Sequence, residues 1–161
     1  MERERRLVLL RHGKSDWSGG EPDLARPLSR RGRRQASEAG RWLAGHLDGI
    51  ALAVVSPATR ARSTWDLAVA ELDASPPVRV EERVYAASGR ELHGVVRDVS
   101  DDLRTVVIVG HNPGLEDLVH RLTGQWTPMP TSAIAVLDVP GPWSTASEGR
   151  TRLRTAGRPP P

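Results

Sequence analysis

Three short apolar runs dominate this sequence and limit the folds open to it. They are Leu7 to Leu10, Ile50 to Val55 and Thr105 to Val109. Runs of this length without polar alternation are typical of strands that are covered on both faces, as in a parallel sheet. Helical patterns lie between them. The sequence therefore predicts an α/β fold, a three-layer α/β/α sandwich with a mostly parallel central sheet.

Residues that cap helices lie between and after these runs. Ser29 is the expected N-cap of a first helix, and Ser56-Pro57 is expected to supply the N-cap and first residue of a second. Asn112-Pro113 repeats this arrangement before a third helix, which is expected to end at Gly124. Strands that alternate with helices in this way favour helices on both faces of the sheet.

Weaker local signals fill the rest of the chain. They indicate a short strand, a further helix, a late strand and an edge strand, at Val78 to Val80, Arg90 to Val99, Ser132 to Val139 and Arg150 to Arg154. The tail from residue 144 is expected to add that edge strand and then to fray at GRPPP. No linker or internal repeat divides the chain, so we expect residues 1–161 to form one domain.

The composition excludes several classes of protein. Cysteine is absent, which removes disulfides, a thiol nucleophile and thiolate metal sites. The apolar runs fall far short of the ~20 residues that span a bilayer, so we expect a soluble, cytoplasmic protein without membrane contact. The net charge is +3, with arginine clusters. One tyrosine, no phenylalanine and no reading motif argue against nucleic acid, and docking of an acidic phosphoprotein is the better alternative.

Polar and cationic residues follow each apolar run directly. They are Arg11 and His12 after the first, Ser56 and Arg60 after the second, and Gly110, His111 and Asn112 after the third. Because ligands of a parallel sheet bind at the carboxyl ends of its strands, we expect these side chains to meet at one edge. Arginine forks, histidine donors and helix N-termini all favour an anion there, and the oxygens of phosphate suit them.

His12 is the expected nucleophile at this edge. Neighbouring arginine charge favours neutral imidazole over imidazolium, and the neutral ring has the lone pair that attacks phosphorus. The remaining histidines, His46, His93 and His120, have no partners at the spacing of metal ligands. The sequence therefore predicts chemistry without a metal, in which arginines supply the positive charge.

Five segments, in order along the chain, carry a family resemblance. They are LVLLRHGKSDW, RPLSRRGRRQA, SPATRARST, ERVY and VGHNPGLEDL. Together they resemble the histidine phosphatase superfamily, the phosphoglycerate-mutase-like group, and especially its short SixA-like phosphohistidine phosphatase branch. The resemblance runs from residue 7 to about residue 140, nearly the whole chain.

The resemblance implies roles for the candidate residues at the strand ends. His12 would take up the phosphoryl group as a covalent phosphohistidine, which water then hydrolyses. Arg11, Arg60 and His111 would clamp the phosphate and stabilise its oxygens in the transition state, and Asn112 would add a substrate contact.

The resemblance implies two further roles, for which the match between this sequence and the family is less close. Ser18 stands where many relatives have asparagine, and it could donate one hydrogen bond to the substrate. Glu82 matches the position of the carboxylate that protonates the leaving oxygen in mutase-like members. Two other carboxylates could perform this task instead. Glu81 is the neighbour of Glu82, and Asp16 lies close in sequence to Arg11-His12-Gly13.

The sequence thus leads to a metal-independent phosphohistidine phosphatase that needs no cofactor. Its expected partner is a phosphorylated, histidine-containing protein, because a phosphohistidine can supply the proton of its own leaving group and little chain remains for a lid. One alternative is a broad phosphomonoesterase or mutase-like enzyme acting on small phosphorylated metabolites. Another is a phosphate-recognition module without catalysis. The oligomeric state is left open.

Overall fold

The computed structural model describes residues 4–161, in which a six-stranded sheet lies between two helical layers. The strands are β1 (Arg5–Arg11), β2 (Leu52–Val55), β3 (Val78–Val80), β4 (Thr105–Gly110), β5 (Ile134–Val139) and β6 (Arg152–Gly157). The helices are α1 (Arg30–His46), α2 (Thr59–Val69), α3 (Gly89–Arg97) and α4 (Gly114–Thr123). The predicted α/β sandwich is confirmed. Each described helix is too short or too polar to cross a bilayer.

The strand order is β3-β2-β4-β1-β5-β6. Neighbouring strands from β3 to β1 run parallel, whereas β5 is antiparallel to both β1 and β6. The sheet is therefore mostly parallel, as predicted. β1 and β4 lie side by side near its middle, with Arg11 paired in register with Gly110. This pairing brings the chain after the first apolar run next to the chain after the third.

Alternate residues of β1 face the two helical layers. Leu7 and Leu9 pack with the apolar residues of α3 and α4, and Val8 and Leu10 pack with those of α1 and α2. All four side chains have no exposed surface. Burial on both faces is the reason why β1 reads as a continuous apolar run instead of an alternating one.

The helix ends confirm two of the predicted caps and correct the others. Ser29 accepts a hydrogen bond from the Gly32 amide, and Gly124 ends α4 in the left-handed region at φ 76°. The prediction that Ser56-Pro57 starts α2 is wrong, because α2 begins at Thr59 and the Ser56 hydroxyl bonds to His111. α4 begins at Gly114, one residue later than predicted.

The predicted fraying of the C-terminal tail is also wrong. β6 forms the edge strand two residues later than expected, and the chain after it turns back onto α1. The indole Nε1 of Trp42 donates a hydrogen bond to the carbonyl oxygen of Pro160 at 3.0 Å, and Pro160 is buried. A contact with a distant helix therefore holds a segment whose own sequence favours disorder.

Candidate active site

The ends of β1 and β4 form the floor of the candidate site. The His12 amide donates a hydrogen bond to the carbonyl oxygen of Gly110 at 3.1 Å, which extends the parallel pairing by one residue. His12 and His111 therefore follow neighbouring strands, and their ring centroids are 5.1 Å apart. This is the meeting of strand ends that the sequence predicts.

The His12 ring is held with one nitrogen free. Nδ1 lies 2.7 Å from the carbonyl oxygen of Gly13. Because a carbonyl oxygen can only accept, Nδ1 carries the proton and Nε2 keeps its lone pair. Burial lowers the pKa of His12 to about 4, and the charges of Arg60 and Arg11 act in the same direction. The imidazole is therefore neutral and nucleophilic at neutral pH.

His111 is oriented by Ser56, whose side chain is fully buried. The Ser56 hydroxyl oxygen lies 2.7 Å from Nε2 of His111 and accepts a hydrogen bond from the Ala58 amide at 3.2 Å. Within residues 4–161, Nε2 is the one acceptor for the hydrogen of this hydroxyl, so the His111 proton resides on Nδ1. Burial lowers the pKa of His111 to about 3, and the charges of His12, once that ring is protonated, and of Arg60 add to the effect.

Two arginines flank the histidine pair. Arg60 is 6% exposed and donates hydrogen bonds from Nη1 to the backbone oxygen of Asp23 at 2.7 Å and from Nη2 to its carboxylate at 3.1 Å. Arg11 donates from Nη1 to the carbonyl oxygen of Met129 at 3.0 Å. The Nε atoms of both arginines are buried and lack a hydrogen-bond partner within residues 4–161.

Asp23 and Tyr85 belong to the site although sequence reasoning did not single them out. The Asp23 carboxylate accepts hydrogen bonds from the Tyr85 hydroxyl, from Arg60 and from Arg26. These contacts, that of Tyr85 foremost, lower the pKa of Asp23 to about 2. The edge of the Tyr85 ring meets His111 at a centroid distance of 5.7 Å. Asp23 lies in a polar loop without periodicity, so no local pattern marks it.

The loop after β1 is fixed by α1 and α2. The Gly13 amide donates to the Thr64 hydroxyl at 3.0 Å, and that hydroxyl donates to the backbone oxygen of Arg60. On the other side, a Cβ atom added at Gly32 would lie 2.8 Å from the backbone nitrogen of Lys14. The first turn of α1 therefore packs directly on the loop that carries the nucleophile.

Asn112 lies beside Arg11, and Ser18 is bound to Asp16. The Asn112 side-chain amide donates to the carbonyl oxygen of Met129 at 2.8 Å, the same oxygen that Arg11 contacts. Ser18 is exposed, and both its amide and its hydroxyl donate to the carboxylate of Asp16. The structure therefore brings Asn112 to the rim and turns Ser18 toward a neighbouring loop residue.

The three carboxylates considered as proton donors have different surroundings. Asp16 is engaged by Ser18, and Glu81 forms an ion pair of 2.7 Å with Arg83. Glu82 is exposed at the start of the 3-10 turn Glu82–Val84, which leads directly into Tyr85. Of the three, Glu82 is the one whose carboxylate is not held by a neighbouring side chain within residues 4–161.

The arrangement is a pocket for an anion with a neutral imidazole at its floor. Arg11 and Arg60 supply positive charge, and the His111 Nδ1 is a third buried nitrogen without a partner among residues 4–161. A tetrahedral oxyanion can accept from all three groups. The same range contains no group of three or more histidine or acidic side chains arranged to hold a metal ion.

Comparison with known proteins identifies the family. The model of the histidine phosphatase superfamily (branch 1) matches residues 7–95. An uncharacterised protein of Mycobacterium tuberculosis is 36% identical over 155 residues, which cover 89% of this chain and 96% of that protein. The phosphohistidine phosphatase SixA homolog of Haemophilus influenzae is 27% identical over 136 residues, covering 76% of this chain and 80% of that protein.

Solved structures agree with this assignment. A structure assigned to a phosphohistidine phosphatase SixA from Nakamurella multipartitia has a TM-score of 0.87 at 27% identity, covering 97% of this chain and 96% of that chain. The protein histidine phosphatase SixA complexed with tungstate shares the fold with a TM-score of 0.82 at 22% identity, covering 94% and 95% of the two chains. The present chain is therefore a phosphatase that belongs to the histidine phosphatase superfamily.

Proposed function

We propose that this phosphatase removes the phosphoryl group from phosphohistidine, through a covalent intermediate on His12 and without a metal or cofactor. The observation that carries the proposal is the set of buried nitrogens around His12 that lack partners within residues 4–161. They are Arg11 Nε, Arg60 Nε and His111 Nδ1. Unsatisfied buried donors are costly, at about 1–3 kcal/mol each, and phosphate oxygens would satisfy all three.

In the first step, the lone pair of His12 Nε2 attacks phosphorus. The phosphorus–nitrogen bond to the substrate imidazole breaks, and its electron pair returns to that ring. Arg11, Arg60 and His111 hold the oxygens whose charge is redistributed in the transition state. The bond from His12 Nδ1 to the Gly13 oxygen keeps the proton away from the attacking nitrogen and stabilises the phosphorylated ring.

In the second step, water attacks phosphorus, and the bond to His12 Nε2 breaks with its electron pair returning to the ring. Inorganic phosphate leaves as dihydrogen phosphate, which carries both hydrogens of the water. The histidine returns to its neutral form, so the cycle needs no external acid or base for His12 itself. Positive charge from two arginines takes the role that a metal ion has in many other phosphatases.

The proton for the leaving group depends on the substrate. A phosphohistidine carries a proton on its second ring nitrogen near neutral pH, so its imidazole departs as a neutral molecule. An alkoxide from a phosphate ester needs a proton from the enzyme. Asp23 has none to give in the free enzyme, because its pKa is lowered to about 2. For esters, Glu82 is therefore our proposed acid.

Two further observations support phosphohistidine on a protein as the substrate. The names of the relatives from Haemophilus influenzae and Nakamurella multipartitia both describe phosphohistidine phosphatases. In addition, the loop over residues 17–24, which borders the pocket, is exposed along its length. An exposed rim leaves room for a phosphoryl group on the surface of a partner protein. A cytoplasmic location fits such a partner and completes the proposal.

Replacing the nucleophile tests the mechanism. We expect His12→Ala to abolish hydrolysis of a phosphohistidine protein and the formation of a phosphoenzyme, which survives an alkaline quench. Phosphate binding, measured by calorimetry, should be retained in part because the arginines remain. The matched control is His46→Ala, at an exposed position on α1, which should leave turnover unchanged. Turnover by His12→Ala near the wild-type rate would contradict the proposal.

A small phosphorylated metabolite is the second candidate substrate. It is favoured by a 2,3-bisphosphoglycerate-dependent phosphoglycerate mutase of Nitrobacter winogradskyi that is 34% identical over 103 residues, or 59% of this chain. A panel of phosphohistidine peptide, phosphoglycerate and phosphosugars separates the two candidates. A strong preference for the esters would reject phosphohistidine. A phosphate-recognition module without catalysis would bind phosphate and form no phosphoenzyme.

The proton donor offers a second test on the same panel. We expect Glu82→Gln to slow ester hydrolysis by about 10²-fold or more, because general acid catalysis contributes about that much, and to leave phosphohistidine hydrolysis nearly unchanged. Glu81→Gln is the matched control, since that carboxylate is held by Arg83. If Glu82→Gln slows both reactions equally, the leaving imidazole also needs the enzyme's proton.

A further inference from the structure

Four basic side chains form an exposed surface beside the pocket. We refer to Lys14, Arg31, Arg34 and Arg158 as the basic surface; all four residues are exposed. The three arginines line one depression of about 210 Å³, together with Gln35 and Glu38. Gln35 accepts a hydrogen bond from the backbone amide of Lys14 at 2.9 Å, so the chain at the fourth basic residue borders the depression.

The positive charge of the basic surface is largely uncompensated. Within residues 4–161, none of its four members forms an ion pair, although exposed arginines elsewhere do, such as Arg83 with Asp98 at 2.8 Å. Glu38 is the one carboxylate in the depression. The arginines in the first turn of α1 lie at the positive end of the helix dipole, where positive charge weakens the helix. No acidic residue in that turn offsets their charge. Helix stability therefore does not explain them.

The basic surface borders the chain segments that hold His12 and Arg11. The Ser132 hydroxyl donates to the backbone oxygen of Gln35 at 2.9 Å, and the Ser132 amide donates to the backbone oxygen of His12 at 2.9 Å. On the other side, burial lowers the pKa of Arg11, and the positive charge of Arg158 acts in the same direction. A protein whose phosphoryl group enters the pocket would thus lie across this surface.

We propose that the basic surface docks an acidic segment of the phosphorylated protein that the enzyme dephosphorylates, which rests on the function proposed above. Arginine forks bind carboxylates in bidentate pairs, and a depression of this size fits a few side chains of one short segment. A nucleic acid would instead need a longer track of cations and exposed aromatic side chains for stacking. Charge complementarity near the pocket raises the rate of productive encounter and sets the orientation.

Two phosphohistidine peptides of equal length test the docking. One has aspartate and glutamate around the phosphohistidine, and the other has asparagine and glutamine. In Arg31→Gln/Arg34→Gln we expect kcat/KM for the acidic peptide to fall roughly three- to thirtyfold and to lose much of its salt dependence. The neutral peptide and p-nitrophenyl phosphate should be hydrolysed at the wild-type rate. Arg90→Gln/Arg97→Gln, two exposed arginines of α3, is the matched control.

Binding of the unphosphorylated acidic peptide, followed by fluorescence anisotropy, separates the two proposals. If wild-type enzyme hydrolyses neither phosphohistidine peptide, the proposed function fails, yet weaker binding to Arg31→Gln/Arg34→Gln than to the α3 control would still support docking. Equal binding to both variants would overturn the docking proposal. Tighter binding of a single-stranded oligonucleotide of equal charge, lost in the same variant, would overturn it in favour of nucleic acid.

Discussion

At His111, the two ring nitrogens have different surroundings. Nε2 contacts the Ser56 hydroxyl at 2.7 Å, whereas Nδ1 is buried without a partner in the described chain. A neutral imidazole can donate from only one nitrogen at a time. By accepting the Ala58 amide and donating to Nε2, Ser56 keeps the proton on the nitrogen that is available to a phosphate oxygen. Ser56 is thus a positioning residue that acts through His111.

Removal of this hydroxyl should mix the two tautomers. In Ser56→Ala we expect His111 to populate both protonation states, which ¹⁵N chemical shifts of the imidazole distinguish. With part of the enzyme in the wrong tautomer and one charge-stabilising hydrogen bond weakened, kcat should fall about tenfold, the equivalent of about 1.4 kcal/mol. Ser63→Ala, on the neighbouring helix α2, should change neither the shifts nor kcat. A pure Nδ1 tautomer in Ser56→Ala would contradict this role.

One part of the site could be predicted from the sequence, and another part could not. Arg11, His12 and His111 directly follow buried strands, and a strand end can be read from the apolar run before it. Asp23 and Tyr85 contact each other across 62 positions of sequence. Such a contact depends on how two loops fold over the sheet, and neither loop has a hydrophobic period from which its path could be inferred.

At the scale of elements, the crossing of α1 and α2 depends on a missing side chain. A Cβ atom added at Gly40 in α1 would lie 2.7 Å from Cα of Ala68 in α2, closer than atoms can approach without displacement. Gly45 belongs to the same helix, but a Cβ atom there would meet nothing within 4 Å. The two positions share residue type and helix and differ in packing alone.

Substitution at these two positions should have opposite effects. We expect Gly40→Ala to lower the free energy of unfolding by about 1–3 kcal/mol, because the helices must separate. Gly45→Ala should raise it by up to about 1 kcal/mol, because alanine favours the helical state. Urea denaturation of both variants measures the difference. Equal midpoints would mean that α2 shifts without cost and that the close contact has no energetic role.

The elements that local patterns predict well are those whose partners are nearby or whose burial is complete. β4 and α4 carry apolar residues that form the core, and their predicted bounds hold to within a residue. The start of α2 and the path of the tail were predicted wrongly for one reason. Ser56 is engaged by His111, 55 residues away, and Pro160 by Trp42, 118 residues away. A local pattern contains no information on such contacts.

At the scale of the whole molecule, the pocket couples global stability to pH. His12 and His111 are buried as neutral rings, and their pKa values are lowered from 6.5 to about 4 and about 3. In the unfolded chain both would bind protons near pH 6.5. Between pH 6.5 and about 4 the unfolded state therefore binds more protons than the native state, and the free energy of unfolding falls as the pH falls.

We expect a loss of about 2–3 kcal/mol of unfolding free energy between about pH 7.5 and about pH 5.5, measured by urea denaturation. Each of His12→Gln and His111→Gln should remove about half of this dependence, and the double variant should remove most of it, with a remainder from His93, whose pKa burial also lowers. Asp23 does not contribute to the slope in this pH range. Its pKa is lowered to about 2, so the protein loses the stability that depends on this carboxylate only in more acidic solution. A slope that persists in the double variant would mean that other groups cause it, and that the two rings titrate in the native state as they do in the unfolded chain.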